Sequence, residues 1–214
     1  YLGKFAEHIV MTIDLPTMSS TGAATFTAAN GDTLTSTVVG QATPTSATTF
    51  SIVAVDLERG EVGCAVQSRY FAVGAVVPWV RASVGAVATQ AAGVAVYGKR
   101  VLEELEQGTT PDEALERVLA DDPQRETRQL GVVTANGEPA AFTGSACLDW
   151  AGHRLGAGFA VQGNILAGEA VLHEMARAFE ETLGPLAGRL VAALEAGQAA
   201  GGDRRGQQSA SLLV

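Results

Sequence analysis

Three apolar runs with little in/out alternation limit this chain more than any other feature. Residues 50–56, 62–68 and 83–91 are small or β-branched and apolar almost throughout. A strand with one wet face alternates apolar with polar side chains, so a strand that does not alternate must be covered on both faces. The runs therefore predict sheets buried on two sides. A chain of 214 residues, 47% of them hydrophobic, can supply that cover in one domain with a small appendage.

The remaining elements follow from turns and periodicity. Glu58-Arg59-Gly60 is a tight polar turn that makes a hairpin of the first two runs. A glycine- and valine-rich stretch, residues 72–80, precedes the third. In residues 97–107, Val101, Leu102 and Leu105 share a helical face, with Glu103, Glu104 and Glu106 elsewhere. Thr110-Pro111-Asp112-Glu113 supplies an N-cap, a proline at the first helical position and a capping-box glutamate. The helix it opens turns Leu115, Val118 and Leu119 inward and stops near Asp121-Asp122-Pro123. Residues 129–134 and 139–143 flank Asn136-Gly137 as a second hairpin. Residues 156–161 read as a strand running into Gln162-Gly163-Asn164, which leaves His153 on a loop. Helices are expected over residues 169–182, on a stripe of Leu172, Met175 and Phe179, and over residues 186–196, on Leu186, Leu190 and Leu194. Residues 201–206 form an exposed turn before a last strand, residues 207–214. Hairpins separated by helix pairs are not the βαβ alternation of a doubly wound sheet. The expected fold is α+β, a four-layer αββα sandwich of two stacked sheets with a helix layer outside each.

Residues 1–47 are a different kind of sequence, rich in Thr, Ala, Ser and Gly. Residues 8–13 suit a strand, residues 24–28 and 33–39 flank the turn Asn30-Gly31-Asp32, and residues 41–47 read as a linker. This piece is expected to be a short β-rich extension, a propeptide or part of another module, ahead of a domain over residues 48–214. The start at Tyr1 without Met and the stop at Leu212-Leu213-Val214 within a strand-like run suggest a fragment at both ends. A signal peptide is then not assessable, and a cytoplasmic location is expected.

A net charge of −9 argues against a nucleic-acid backbone or an anionic membrane surface as partner. No apolar run approaches the ~18 residues of a membrane span. Cys64 and Cys147 make neither a disulfide framework nor a metal-ligand spacing and read as small buried thiols. His8, His153 and His173 are scattered. There is no Gly-rich phosphate loop, no Gly-x-Ser-x-Gly and no paired-His metal motif, so no cofactor is implied. The charge between Lys99 and Arg128 reads as a solvated face.

Thr49, opening the first run, admits two readings. It is a β-branched strand residue, or it is a nucleophile in waiting. A threonine at a free chain terminus can use its own α-amine, with a pKa of about 7.7–8, as the base that activates its hydroxyl. An internal threonine has an amide nitrogen that cannot accept the proton. The second reading therefore requires cleavage of the Thr48–Thr49 bond.

Several segments in order carry a resemblance. They include Thr49-Phe50-Ser51-Ile52-Val53-Ala54, Gly63-Cys64-Ala65-Val66-Gln67-Ser68-Arg69-Tyr70-Phe71 and Gly85-Ala86-Val87-Ala88-Thr89-Gln90. Further on come Arg128-Gln129-Leu130-Gly131, Trp150-Ala151-Gly152-His153, Gln162-Gly163-Asn164-Ile165-Leu166 and Gly201-Gly202-Asp203-Arg204-Arg205-Gly206. From about Thr49 to Val214 the chain resembles the bacterial domain-of-unknown-function 1028 family, placed in the N-terminal-nucleophile (Ntn) hydrolase superfamily. The resemblance implies the αββα fold and, by superfamily analogy alone, hydrolysis of an amide or peptide bond in a small molecule or peptide. If the site is real, Thr49 is the nucleophile, Asn164 at a strand end beside Gly163 and then Gln90 at the end of the third run are oxyanion donors, and Ser51, on the same side of the strand as Thr49, is a helper or fallback nucleophile. Arg69 would hold a substrate carboxylate and Asp203 would orient the amine. Each has a structural alternative: Asn164 shapes a turn, Gln90 satisfies buried backbone, and Arg69 with Asp203 forms an ion pair. Members usually begin close to the equivalent of Thr49 and continue past that of Val214. Some Ntn hydrolases place a lysine beside the nucleophile, whereas here Lys4 lies in the extension and Lys99 at a helix start. A non-catalytic ligand-binding or scaffold domain on the same fold is the competing expectation, and self-association into a homo-oligomer stays open.

Overall fold

The computed structural model describes residues 6–14, 19–27, 33–41 and 49–214. They belong to two compact units, Tyr1–Thr45 and Ser46–Val214. The first is an antiparallel meander of β1 (Ala6–Asp14), β2 (Ser19–Thr27) and β3 (Thr33–Gln41), with Thr27 opposite Thr33. The expected turn at Asn30-Gly31-Asp32 and linker residues 42–47 lie outside the described residues.

In the second unit the unalternating runs find cover on both faces. β4 (Thr49–Asp56) and β5 (Glu61–Ser68) form the predicted hairpin, with Asp56 opposite Glu61 and Thr49 opposite Ser68. The Asp56 carboxylate closes its turn by accepting from the backbone N–H groups of Glu58 and Arg59, both at 3.1 Å. Every residue of β4 is buried. Successive side chains of a strand point to opposite faces, and here each face has its own apolar cluster. Phe50, Ile52 and Ala54 pack with helices α3 (Ala170–Glu181) and α4 (Leu186–Ala199), against Leu172, Met175 and Phe179. Val53 and Val55 instead pack with Ala86, Ala88 and Val133 of a second sheet.

The first sheet runs β10-β11-β4-β5-β12, with β10 (Gly152–Gly156), β11 (Phe159–Asn164) and β12 (Ser209–Leu213). The second runs β6-β7-β8-β9, from β6 (Pro78–Arg81), β7 (Gly85–Ala91), β8 (Arg128–Thr134) and β9 (Pro139–Thr143). All pairings are antiparallel. On the other face of β7 and β8, Val87, Leu130 and Val132 pack with α1 (Val96–Glu106) and α2 (Pro111–Leu119). Thr110 caps α2, its hydroxyl accepting from the Glu113 N–H at 3.4 Å. The unit is thus a mixed α+β fold with two antiparallel sheets and four helices. Among the described residues no helix is long and apolar enough to cross a membrane.

The structure corrects several expectations, among them the exposed turn over residues 201–206, in which Gly202 and Asp203 are buried. His153 lies on edge strand β10, not on a loop. The strand expected over residues 156–161 is interrupted by a turn at Ala157-Gly158, where Gly158 has φ 75°. Charges between Lys99 and Arg128 are largely exposed pairs, but Arg128 Nε meets Asp122 at 2.8 Å with both side chains nearly buried. Arg128 also donates to the Ala92 carbonyl, and the Tyr97 hydroxyl donates to Asp122 at 2.7 Å. The hydrogen bond from Arg128 is the main reason the Asp122 carboxyl is held well below the ordinary carboxylate range. Of the thiols, Cys64 is buried, and burial pushes its pKa up, whereas Cys147 is only partly buried.

Candidate functional site

Strand parity divides the layer between the two sheets into an apolar part and a polar end. From β4 the side chains entering it are Thr49, Ser51, Val53 and Val55. β5 adds Ser68, Val66 and Cys64, and β11 adds Asn164, Gln162 and Ala160. The opposite sheet adds Gln90 after Ala88 and Ala86 of β7, and Gln129 and Gly131 before Val133 of β8. Every polar member is buried, Thr49 to 1% and Asn164 to 1% exposure.

Hydrogen-bond partners fix the direction of each carboxamide in this seam. Gln129 Nε2 faces the carbonyl oxygens of Gly163 at 2.8 Å and Gly152 at 3.0 Å, which can only accept. Its Oε1 is therefore turned inward, where it accepts from Gln90 Nε2 at 2.9 Å and Asn164 Nδ2 at 3.1 Å. Gln90 Nε2 also reaches the carbonyls of Thr49 and Gln162, both at 3.3 Å. The other end of Gln90 accepts from the Ser51 hydroxyl at 2.6 Å, and Ser51 accepts from Gln162 Nε2 at 2.6 Å. Among the described residues, Asn164 Oδ1 and Gln162 Oε1 are acceptors left without a partner.

The Thr49 hydroxyl donates to Ser68 Oγ at 3.2 Å, and Ser68 Oγ accepts from the Tyr70 N–H at 2.8 Å. Asn164 is the partner of Thr49 on the other neighbouring strand. Two chain reversals lie beside this end, and both carry left-handed residues that are not glycine: Ala91 at φ 67° after Gln90, and Ile165 at φ 52° after Asn164. Such backbone costs roughly 1–2 kcal/mol per residue and concentrates at functional sites.

Arg69 and Asp203 stand at the rim. The Asp203 carboxylate is buried and accepts from the Arg69 N–H at 3.3 Å and the Arg205 N–H at 2.8 Å, and it pairs with the Arg205 guanidinium at 3.3 Å. These bonds, with Gly201 at φ 114° and Gly202 at φ 50°, hold the loop against the end of β5. His153 is exposed but joined to the seam. Its Nδ1 lies 2.9 Å from the Thr143 hydroxyl, which accepts from Gln129 Nε2 at 2.9 Å. Although the residue is exposed as a whole, partial desolvation of its ring lowers its pKa. His173 lies on the exposed face of α3 beside Glu174.

The structure thus brings together Thr49, Ser51, Gln90 and Asn164, and sets Arg69 and Asp203 beside them. Sequence reasoning missed Ser68, Gln129, Gln162 and Thr143. Ser68 was within reach, because counting back from the turn pairs Asp56 with Glu61 and so Thr49 with Ser68. Chemically the seam is made of hydroxyls and neutral carboxamides. It can position a carbonyl and a hydroxyl, and among the described residues its side chains include no titratable group. Among the described residues no group of His, Cys, Asp and Glu could hold a metal ion.

Comparison with known proteins bears on this site. No curated protein matches the chain. A crystal structure of a Silicibacter pomeroyi protein assigned to DUF1028 superposes with a TM-score of 0.73 at 36% identity, covering 77% of this chain and 72% of that one. Residues 49–214, the stretch that holds the whole seam, match the model of the family of unknown function DUF1028, and the chain belongs to that family.

Proposed function

We propose that residues 49–214 form an αββα sandwich of the Ntn-hydrolase type and hydrolyse an amide or peptide bond with Thr49 as nucleophile, once the Thr48–Thr49 bond is cut. The arrangement of three apolar clusters supports the sandwich: one lies between the sheets, and one lies between each sheet and its helix pair. One observation carries the activity. The strand that opens on Thr49 delivers its hydroxyl to the polar end of the inter-sheet layer, 3.2 Å from Ser68 Oγ and opposite Asn164.

The freed α-amine takes the hydroxyl proton as Oγ1 attacks the carbonyl carbon. The C–N bond then breaks, that proton leaves with the amine product, and water hydrolyses the acyl ester to release the acid. The oxyanion falls to Asn164 Nδ2, which uses one N–H on Gln129 and has a second. Losing such a donor typically costs about 3–4 kcal/mol of transition-state stabilisation. The N–H groups of Gln90 are committed to Gln129 and to two carbonyls, so Gln90 positions rather than donates.

The second reading, a ligand-binding or scaffold domain, is favoured by the near-complete burial of Thr49. Intact mass and N-terminal sequencing of the purified protein separate the two. The hydrolase reading expects a chain beginning at Thr49 and a β-lactone adduct on it, both lost in Thr49→Ala. An uncut chain that forms no adduct would sink it.

A further inference from the structure

Most arginines of this protein are neutralised where they stand, by a carboxylate as in Arg128–Asp122 and Arg177–Glu174, or over a ring as in Arg189–Phe179. Among the described residues Arg69, Arg154 and Arg204 have neither kind of partner. Arg154 sits on edge strand β10. The other two flank the polar end of the inter-sheet layer. Arg69 directly follows Ser68, the acceptor for the Thr49 hydroxyl. Arg204 donates its backbone N–H to Ile165, the residue after Asn164, at 3.4 Å.

Both guanidinium groups are exposed, yet each is oriented by a backbone carbonyl. Arg69 Nη1 donates to Arg205 O and Arg204 Nη2 to Asp149 O, each at 2.6 Å. A carbonyl holds the planar group without cancelling its charge, and the rest of the fork stays presented for two-pronged binding of a carboxylate. The buried Asp203 sits between them and is satisfied by Arg205 and the Arg69 N–H. This uncompensated pair stands on a molecule of net charge −9, whose overall field disfavours anions. In the seam Arg204 borders through Ile165, Asn164 Oδ1 is a buried acceptor with no donor among the described residues, suited to an amide N–H.

We infer that Arg69 and Arg204 form a carboxylate-binding subsite, and that the ligand of the Thr49 site is a small amide bearing a carboxylate. The inference rests on the hydrolase reading for its chemistry but not for its binding. The test is therefore a binding titration, by calorimetry or NMR, of the full chain and of its Thr49→Ala variant. The probes are N-acetylglycine and its uncharged analogue N-acetylglycinamide. N-acetylglycine is expected to bind at millimolar concentration and about tenfold or more tighter than the neutral probe. Arg69→Ala and Arg204→Ala should each erase that preference, Arg69→Lys should restore part of it, and Arg154→Ala should leave it unchanged. Equal binding of both probes, no binding of either, or a preference that survives both alanine variants would overturn the inference. Carboxylate selectivity in a chain that is never cleaved would keep the subsite and remove the hydrolase. Cleavage and labelling at Thr49 without carboxylate selectivity would do the converse.

Discussion

Gly131 has no side chain because Gln162 of the facing sheet occupies its place. A Cβ built on Gly131 would fall inside the Gln162 carboxamide. That carboxamide has little freedom to retreat, since its Nε2 is bound to Ser51 Oγ at 2.6 Å. Gly131→Ala is therefore expected to destabilise the domain by roughly 1–3 kcal/mol through overpacking. Gln162→Ala alone should cost about 1–3 kcal/mol by leaving Ser51 with a lost donor in a buried site. Combined, the two changes relieve each other, and the double variant should fall short of the sum by at least about 0.5 kcal/mol. Urea unfolding of the four proteins measures this, and strict additivity would mean that the two residues do not meet. A glycine inside a strand pattern marks a close approach, but no pattern in the chain names the side chain that approaches. The same limit hid Gln129. A glutamine in an apolar run is legible as unusual, whereas its role depends on the Gly152 and Gly163 carbonyls, which come from distant segments.

Among the elements, the Asp122–Arg128 pair ties the end of α2 to the start of β8, to α1 through Tyr97, and to the loop at Ala92 just past Gln90. It thereby supports the reversal that positions Gln90. A carboxyl whose pKa is lowered in the folded chain binds its proton more readily in the unfolded one. The stabilisation it brings is complete above the unfolded value, near 4, and is lost as pH falls through that value toward the lower folded one. Asp122→Asn is thus expected to destabilise the protein at pH 7 by roughly 1–3 kcal/mol and to flatten the loss of stability between about pH 5 and pH 2. Thermal melts across that range check both parts, and an unchanged acid limb would refute the role given to Asp122. At this scale the chain was most legible where local chemistry decides. Thr110, Pro111 and Glu113 set the start of α2, and the Glu58-Arg59-Gly60 turn set the register of the first hairpin. It was least legible at β10, whose exposed His153, Arg154 and Leu155 have no apolar face to announce a strand. That strand exists because β11 offers it a backbone edge.

For the domain of residues 49–214 as a whole, the deciding fact is that β4 and β8 are each buried on both faces against different partners. Ile52 looks toward α3 and α4, while Leu130 looks toward α1 and α2, with the inter-sheet cluster between them. Stacked sheets stand about 10 Å apart, so these outward-facing residues share no neighbour and have no direct means of coupling. Ile52→Val should cost about 0.5–1.5 kcal/mol and Leu130→Ala about 2–5 kcal/mol. The double variant should match their sum within about 0.5 kcal/mol, in contrast to the Gly131 and Gln162 pair that meets across the layer. Equilibrium urea unfolding followed by both fluorescence and circular dichroism provides the comparison, with coincident transitions required for the sum to be meaningful. A coupling above about 1 kcal/mol would mean that strain passes through the inter-sheet layer. The polar seam at Thr49 would then feel changes made on either helix face. Additivity instead leaves the seam insulated, so that substitutions on the helix faces alter stability without altering what happens at Thr49.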